Sequence, residues 1–156
     1  MPAPPPYGSE TDPPRVLFDT SMLLPALVAN HPDHDDAAAR LEAVHAGRVQ
    51  LVLCTHATAE LYSTLTSFPV SPRISPSQAL ELIRENLLAH AEVVSLDARD
   101  YQQVTGDLTE RNLAGGIIYD ALHVQAAKKA GVDRVWTRNA SDFERIWPDH
   151  GGVVAD

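Results

Sequence analysis

Short runs rich in strand formers recur along this chain, at Arg15–Asp19 (RVLFD), Gln50–Cys54 (QLVLC), Glu92–Leu96 and Asp133–Thr137, and helical segments separate each from the next. Strands spaced this way cannot pair as hairpins. The crossovers lay consecutive strands parallel and put helices over both faces. The expected class is therefore α/β, a three-layer α/β/α sandwich around a central parallel sheet, with Gly152–Ala155 as a last edge strand. Helices are expected over Thr20–Asn30, interrupted near Pro25, and over Asp33–Ala46. Thr55 is read as the cap of a helix to about Ser67, with Leu61, Leu65 and Phe68 along one face. Ser75 as N-cap, Pro76 at the first helical position and Gln78 completing a capping box start a helix to about His90. Asp97–Leu113 follows, with Tyr101, Val104 and Leu108 on its buried side. Gly115-Gly116 precedes a helix Ile117–Ala130 that Gly131 stops, and a short helix is expected at about Ser141–Ile146.

Composition narrows the class. The first fourteen residues hold six prolines, which suits a disordered or extended tail, so the domain is expected over 15–156. No run approaches the roughly 18 apolar residues that span a bilayer, and the start lacks the basic and apolar regions of a signal peptide. Cys54 is the only cysteine, which rules out an intramolecular disulfide and fits a reducing cytoplasm. The net charge of −9 excludes a general basic surface for a polyanion. Either cations at a metal site offset part of the acidic surplus, or a basic partner segment covers it.

The carboxylates are placed informatively. Asp19 closes the first strand, Glu60 lies early in the helix after the second, and Asp120 sits in the first turn after the two glycines. Asn139 and Asp142 follow the strand ending at Thr137. All five map to the carboxyl rim of a parallel sheet, where ligands of such sheets bind. Taken singly, each has a structural explanation as a cap, a turn former or a complement to a helix dipole. Several carboxylates on one rim repel one another unless a cation is shared. Hard oxygen donors of this kind suit Mg²⁺, which in phosphodiester hydrolysis activates water and neutralises developing charge.

The segments VLFDTSMLLPAL, THATAELYSTL, GGIIYDALHVQAAKKAG and VWTRNASDF resemble, in order and spacing, the four signature blocks of PIN domains, especially the VapC-type toxins. The resemblance covers about Arg15 to Trp147. It implies an endoribonuclease dependent on Mg²⁺ or Mn²⁺, in which a metal-activated water leaves a 5′-phosphate and a 3′-hydroxyl. Carried over by position, Asp19 and Asp120 look like the principal metal ligands. Glu60 looks like the third acidic residue, binding a second ion or orienting a metal water. Where the family has a fourth acidic residue this chain has Asn139; either Asn139, through its carbonyl, or Asp142, three residues on, takes that place, behind the principal ligands or at a weaker second metal. The resemblance also implies an RNA substrate, a cognate antitoxin that covers the acidic rim, and a homodimer through Asp33–Ala46 or Thr55–Ser67.

Thr20 and Ser21 are candidates for phosphate or metal-water contacts, with helix capping as the alternative. Arg138 can hold a substrate phosphate or form a surface salt bridge. His123, one turn after Asp120, can orient a carboxylate or sit as a satisfied buried histidine. His31 and His34 read as a solvated loop and helix start, Arg73 as a loop residue open to RNA contact, and Trp136 and Trp147 as core or interface. A PIN-like module that binds RNA or protein without cutting remains an alternative that Asn139 permits. A phosphotransfer domain with Asp19 as nucleophile is disfavoured, because Ser21 stands where a second Asp is wanted.

Overall fold

The computed structural model describes residues 12–155. Within them, strands β1 (Arg15–Phe18), β2 (Gln50–Cys54), β3 (Ala91–Val94), β4 (Arg134–Trp136) and β5 (Val154–Ala155) form one sheet in the order β3-β2-β1-β4-β5. Every neighbouring pair is parallel. Helices α1 (Thr20–Leu27) and α2 (His34–His45) connect β1 to β2. Next come α3 (Thr55–Ser67), α4 (Pro76–Asn86) and a 3₁₀ turn at Leu88–His90, which lead to β3. Helices α5 (Ala98–Glu110) and α6 (Ile117–Ala130) lead to β4, and α7 (Ala140–Ile146) to β5.

The central strands β1 and β2 read as near-continuous apolar runs because both faces of the sheet are covered there. Val16 and Phe18 of β1 and Leu51 and Leu53 of β2 point to one side, where they pack with Met22, Leu41, Leu61 and Ile83 of α1 to α4. Leu17, Val52, Cys54 and Val135 point to the other, against Val124 and Ala127 of α6 and Phe143 of α7. Val104 and Leu108 fasten α5 to Ala121 and Leu122 of α6. This period-two division between two helical layers is the expected three-layer sandwich. Each fully buried Leu or Phe contributes roughly 1.5–3 kcal/mol relative to exposure. Gly131, at φ +61°, adopts the left-handed conformation that ends α6.

Several local expectations are corrected. Helix α1 passes through Pro25 without a break; the proline removes one N–H near the helix end, and its own carbonyl accepts from His34 Nδ1 at 2.8 Å. Thr55 is the first helical residue, and Cys54 takes the cap position without a side-chain bond, because β2 runs straight into α3. Tyr101 is exposed; α5 instead turns Asp100 inward, where its carboxylate accepts from Lys129 and Gln125. Helix α4 ends at Asn86 and α5 at Glu110, short of His90 and Leu113. The Ser75–Gln78 capping box forms as expected. Of the expected tail over 1–14, residues 1–11 lie outside the described residues, while the Pro14 carbonyl already accepts from Gln50 N–H at 2.9 Å.

Candidate active site

The chain lays β1, β2 and β3 outward in one direction, then returns to set β4 on the other side of β1. The carboxyl ends of β1 and β4 therefore flank a topological switch point, where open parallel sheets form a crevice. Asp19 and Thr137 are the residues that leave these two strands. The Thr137 hydroxyl donates to Asp19 Oδ2 at 2.6 Å. Ser21 Oγ and Met22 N–H donate to Oδ1 at 2.7 and 3.2 Å, so Asp19 caps α1 while lying at the crevice. Its side chain is buried. Burial pushes the Asp19 carboxyl above its ordinary value, and the three donors only partly offset that.

Glu60, on the sixth residue of α3, approaches the same place from the β2 side. His123 Nε2 of α6 is 3.0 Å from its Oε1, and His56 Nε2 is 3.3 Å from the same oxygen. Burial works to raise the Glu60 carboxyl, but the His123 hydrogen bond, the charges of His123 and His56 and the Thr20 hydroxyl outweigh it and hold it below its ordinary value. An ionised carboxylate only accepts, so the His123 Nε2–H donates to Glu60. Thr20 Oγ1 stands 3.5 Å from that nitrogen. The His123 ring is 1% exposed, and its Nδ1 has no hydrogen-bond partner among the described residues.

Asp120 enters from the first turn of α6, after Gly115 has turned the chain at φ +78°. Its carboxyl is pushed up to about 6, first by burial and then by the charges of Asp19, Asp142 and Glu60, with His123 opposing. Asp19, Glu60 and Asp142 are thus near enough for their charges to act on Asp120. Asp142 lies in the first turn of α7 and accepts from Arg145 at 3.3 Å.

The remaining candidates divide. Ser21 and Thr20 belong to the cluster as described. Arg138 gives its backbone N–H to Ser21 Oγ at 2.9 Å, but its guanidinium turns away to Asp36 at 2.8 Å and Asp33 at 3.8 Å. Asn139 is exposed and is anchored through its backbone: its N–H donates to Thr137 Oγ1 at 2.9 Å, and its carbonyl accepts from Asp142 and Phe143 N–H at 3.0 and 3.2 Å. His31 and His34 are half-buried rather than solvated: His31 lies against Phe68, and His34 holds the Pro25 carbonyl. Arg73 lines a surface groove with Gln78, Glu81 and Glu85. Trp136 packs on Phe18 with the Arg40 guanidinium over its ring, and Trp147 packs into the core. Sequence reading missed Thr137, whose type suits a strand end, and His56, whose i,i+4 spacing from Glu60 was the available signal.

Among the described residues no three His, Cys, Asp or Glu side chains are gathered into a ready coordination shell. Mg²⁺ does not need one, since it takes one or two carboxylates and fills the rest with water and substrate oxygens. The donors here are hard oxygens, and the upward push on Asp120 by three neighbouring acids marks an excess of negative charge that a cation relieves.

The family model of the PIN domain matches residues 16–146. The chain belongs to the PIN-domain family. Among relatives of this PIN domain, Ribonuclease VapC27 of Mycobacterium tuberculosis is 36% identical over 114 residues, covering 73% of this chain and 77% of the relative. Ribonuclease VapC40 of the same species is 34% identical over 132 residues, covering 82% and 91%. Among solved structures, VapBC2 from Rickettsia felis, bound to a DNA fragment from its promoter, superposes with a TM-score of 0.63 at 17% identity, covering 90% and 97%; at that identity the likeness shows the fold.

Proposed function

We propose that this PIN domain is a Mg²⁺-dependent endoribonuclease and the toxin of a toxin–antitoxin pair, with Mn²⁺ able to replace Mg²⁺. The observation that supports the reading is that Asp19, held by Thr137, and Glu60, held by His123 one turn after Asp120, stand at the switch-point rim, with Asp142 near enough for its charge to act on Asp120. The names of VapC27 and VapC40 support ribonuclease activity. Asp19 and Asp120 would hold the ion, and Glu60 would bind a second ion or orient a water. When bound, the ion supplies an acidified water and neutralises charge on the scissile phosphate. The chain's own part is orientation. Thr137 and Ser21 fix both oxygens of Asp19, and His123 fixes Glu60. Thr20, Ser21, Asn139 and the Arg138 backbone lie along the rim where substrate would pass. Asp142 stands in for the missing fourth acid.

The antitoxin would be a protein with a basic segment that covers this rim, as the net charge of −9 favours. That a toxin-antitoxin complex from Klebsiella pneumoniae shares this fold supports that partner. A homodimer through α2 or α3 belongs to the same proposal. So does a cytoplasmic location, supported by the buried lone Cys54 and by the lack of a membrane-spanning helix among the described residues.

The test is cleavage of single-stranded RNA by the purified chain with Mg²⁺ or Mn²⁺, and with a chelator. Cleavage should depend on the ion and fall at least about a hundredfold in Asp19→Asn and Asp120→Asn. RNA binding without cleavage at any ion concentration would establish the non-catalytic module instead.

A further inference from the structure

Beside the acidic cluster, two aromatic rings from different elements lie face to face. His56, the second residue of α3, and Tyr119, the third of α6, have ring centroids 5.2 Å apart and an interplanar angle of 1°. His56 is largely covered, with 19% of its side chain exposed, whereas Tyr119 is 50% exposed, the most exposed large hydrophobic residue among those described. One face of Tyr119 is therefore backed by a fixed ring and much of the remainder meets solvent. The stack is joined to the site at both ends. Tyr119 precedes Asp120, and His56 Nε2 is 3.3 Å from Glu60 Oε1.

We propose that Tyr119, backed by His56, is the stacking platform for a base of single-stranded RNA next to the scissile phosphate. The inference rests on the nuclease reading and deepens it by naming a substrate-positioning residue. What sets Tyr119 apart from the other exposed tyrosines is its backing ring and its place next to Asp120, where a flat ring laid on it would cover apolar surface favourably. A nucleobase supplies the missing cover.

Charge supports a base over a phosphate as the main handle. The guanidinium of Arg138 is engaged by Asp36 and Asp33, that of Arg145 faces Asp142, and the chain is strongly acidic. Stacking needs no positive charge and tolerates any base, because each has a π face. The His56 ring is largely covered, so Tyr119 stacks against a restrained neighbour and loses little freedom on binding. A protein partner's side chain on Tyr119 is the competing occupant, and the test separates the two.

The experiment uses the full chain carrying Asp19→Asn, so that bound RNA survives. Binding of a fluorescein-labelled 12-nucleotide oligo(A) is compared with that of an abasic ribose-phosphate strand of equal length. Adding Tyr119→Ala should weaken oligo(A) binding about tenfold and leave abasic binding unchanged, while Tyr119→Phe should stay within about twofold of the parent. In the otherwise unmodified chain, Tyr119→Ala should raise KM for RNA more than it lowers kcat. Equal loss on both strands, or no loss on oligo(A), overturns the platform even where the unmodified chain cleaves RNA. Loss of antitoxin affinity with RNA binding intact assigns Tyr119 to the protein partner and likewise overturns it. Failure of the unmodified chain to cleave RNA with any divalent ion removes the nuclease reading and this inference together, and is told apart by its occurring with Tyr119 present.

Discussion

Nε2 of His123 lies 3.0 Å from Oε1 of Glu60, joining α6 to α3 across 63 residues of sequence. A buried imidazole that donates to a carboxylate fixes where that carboxylate points, and loss of such a partner at a metal site costs about 10–100-fold in affinity or activity. His123→Ala should therefore lower kcat with Mg²⁺ by about that factor while KM for RNA changes little. It should also destabilise the fold by about 1–3 kcal/mol, because it empties a buried position. His123→Gln retains an N–H donor and should recover part of the loss. Metal titration and urea unfolding of both variants check this; equal activity in His123→Ala and the unmodified chain would show that Glu60 needs no support.

Thr137 places one hydroxyl between two elements, donating to Asp19 Oδ2 and accepting from Asn139 N–H. Thr137→Val keeps the shape and removes both bonds, leaving a buried carboxylate and an N–H with fewer partners. We predict a loss of about 1–3 kcal/mol in stability. Activity should fall too, since Asp19 is no longer held on both oxygens. Chemical denaturation that gives no difference between Thr137→Val and the unmodified chain would refute the role assigned to this hydroxyl.

Periodicity and punctuation carried most of the fold in the sequence. The β1 and β2 runs, the Ser75-Pro76-Gln78 start and the Gly131 stop are local signals, and each formed as expected. The acidic rim was legible for the same reason, since Asp19, Glu60 and Asp120 each sit near a strand end or a helix start. What depends on distant contacts was not. The direction of the Arg138 guanidinium is decided by Asp36 of α2 and by Asp33 just before that helix, about a hundred residues away. The exposure of Tyr101 follows from Asp100, which turns inward because Lys129 and Gln125 of α6 meet it and because it completes a capping box with Asp97. Asp at the third position of such a box is a weaker signal than Glu or Gln.

Asp120 carries a stability cost that its neighbours create. In metal-free protein its carboxyl is raised from 3.8 to about 6 by burial and by Asp19, Asp142 and Glu60. The folded state then binds more protons than the unfolded one between those values, so this group's contribution falls as pH rises from about 4 to about 6. Asp120→Asn removes the charge. In a chelator at pH 7.5 the variant should unfold at a higher temperature than the unmodified chain, and at pH 4 the two should approach each other. Mg²⁺ should raise the unfolding temperature of the unmodified chain alone. Calorimetry in which Asp120→Asn is less stable than the unmodified chain in chelator at pH 7.5 would contradict the crowding of charge at this position.

The opposite sign holds at Asp100. The Lys129 ammonium at 2.8 Å, the Asp97 N–H and the Gln125 amide hold its carboxyl below the usual carboxylate range. A depressed folded value means that the contribution is present above the unfolded carboxylate value and is lost as pH falls through the folded one. Lys129 is raised in turn by Asp100, so its share is present below the unfolded lysine value and lost as pH rises through the folded one. The pair is therefore worth most across the middle of the pH range, where it ties α5 to α6, the helix that presents Asp120 and His123. Asp100→Asn keeps an acceptor for Asp97 and Gln125 but removes the charge facing Lys129. Its urea midpoint should fall below that of the unmodified chain at pH 7, with the gap closing as the pH is taken well below 3. A gap that stays constant down to pH 2 would show that the charge on Asp100 does not hold the two helices together.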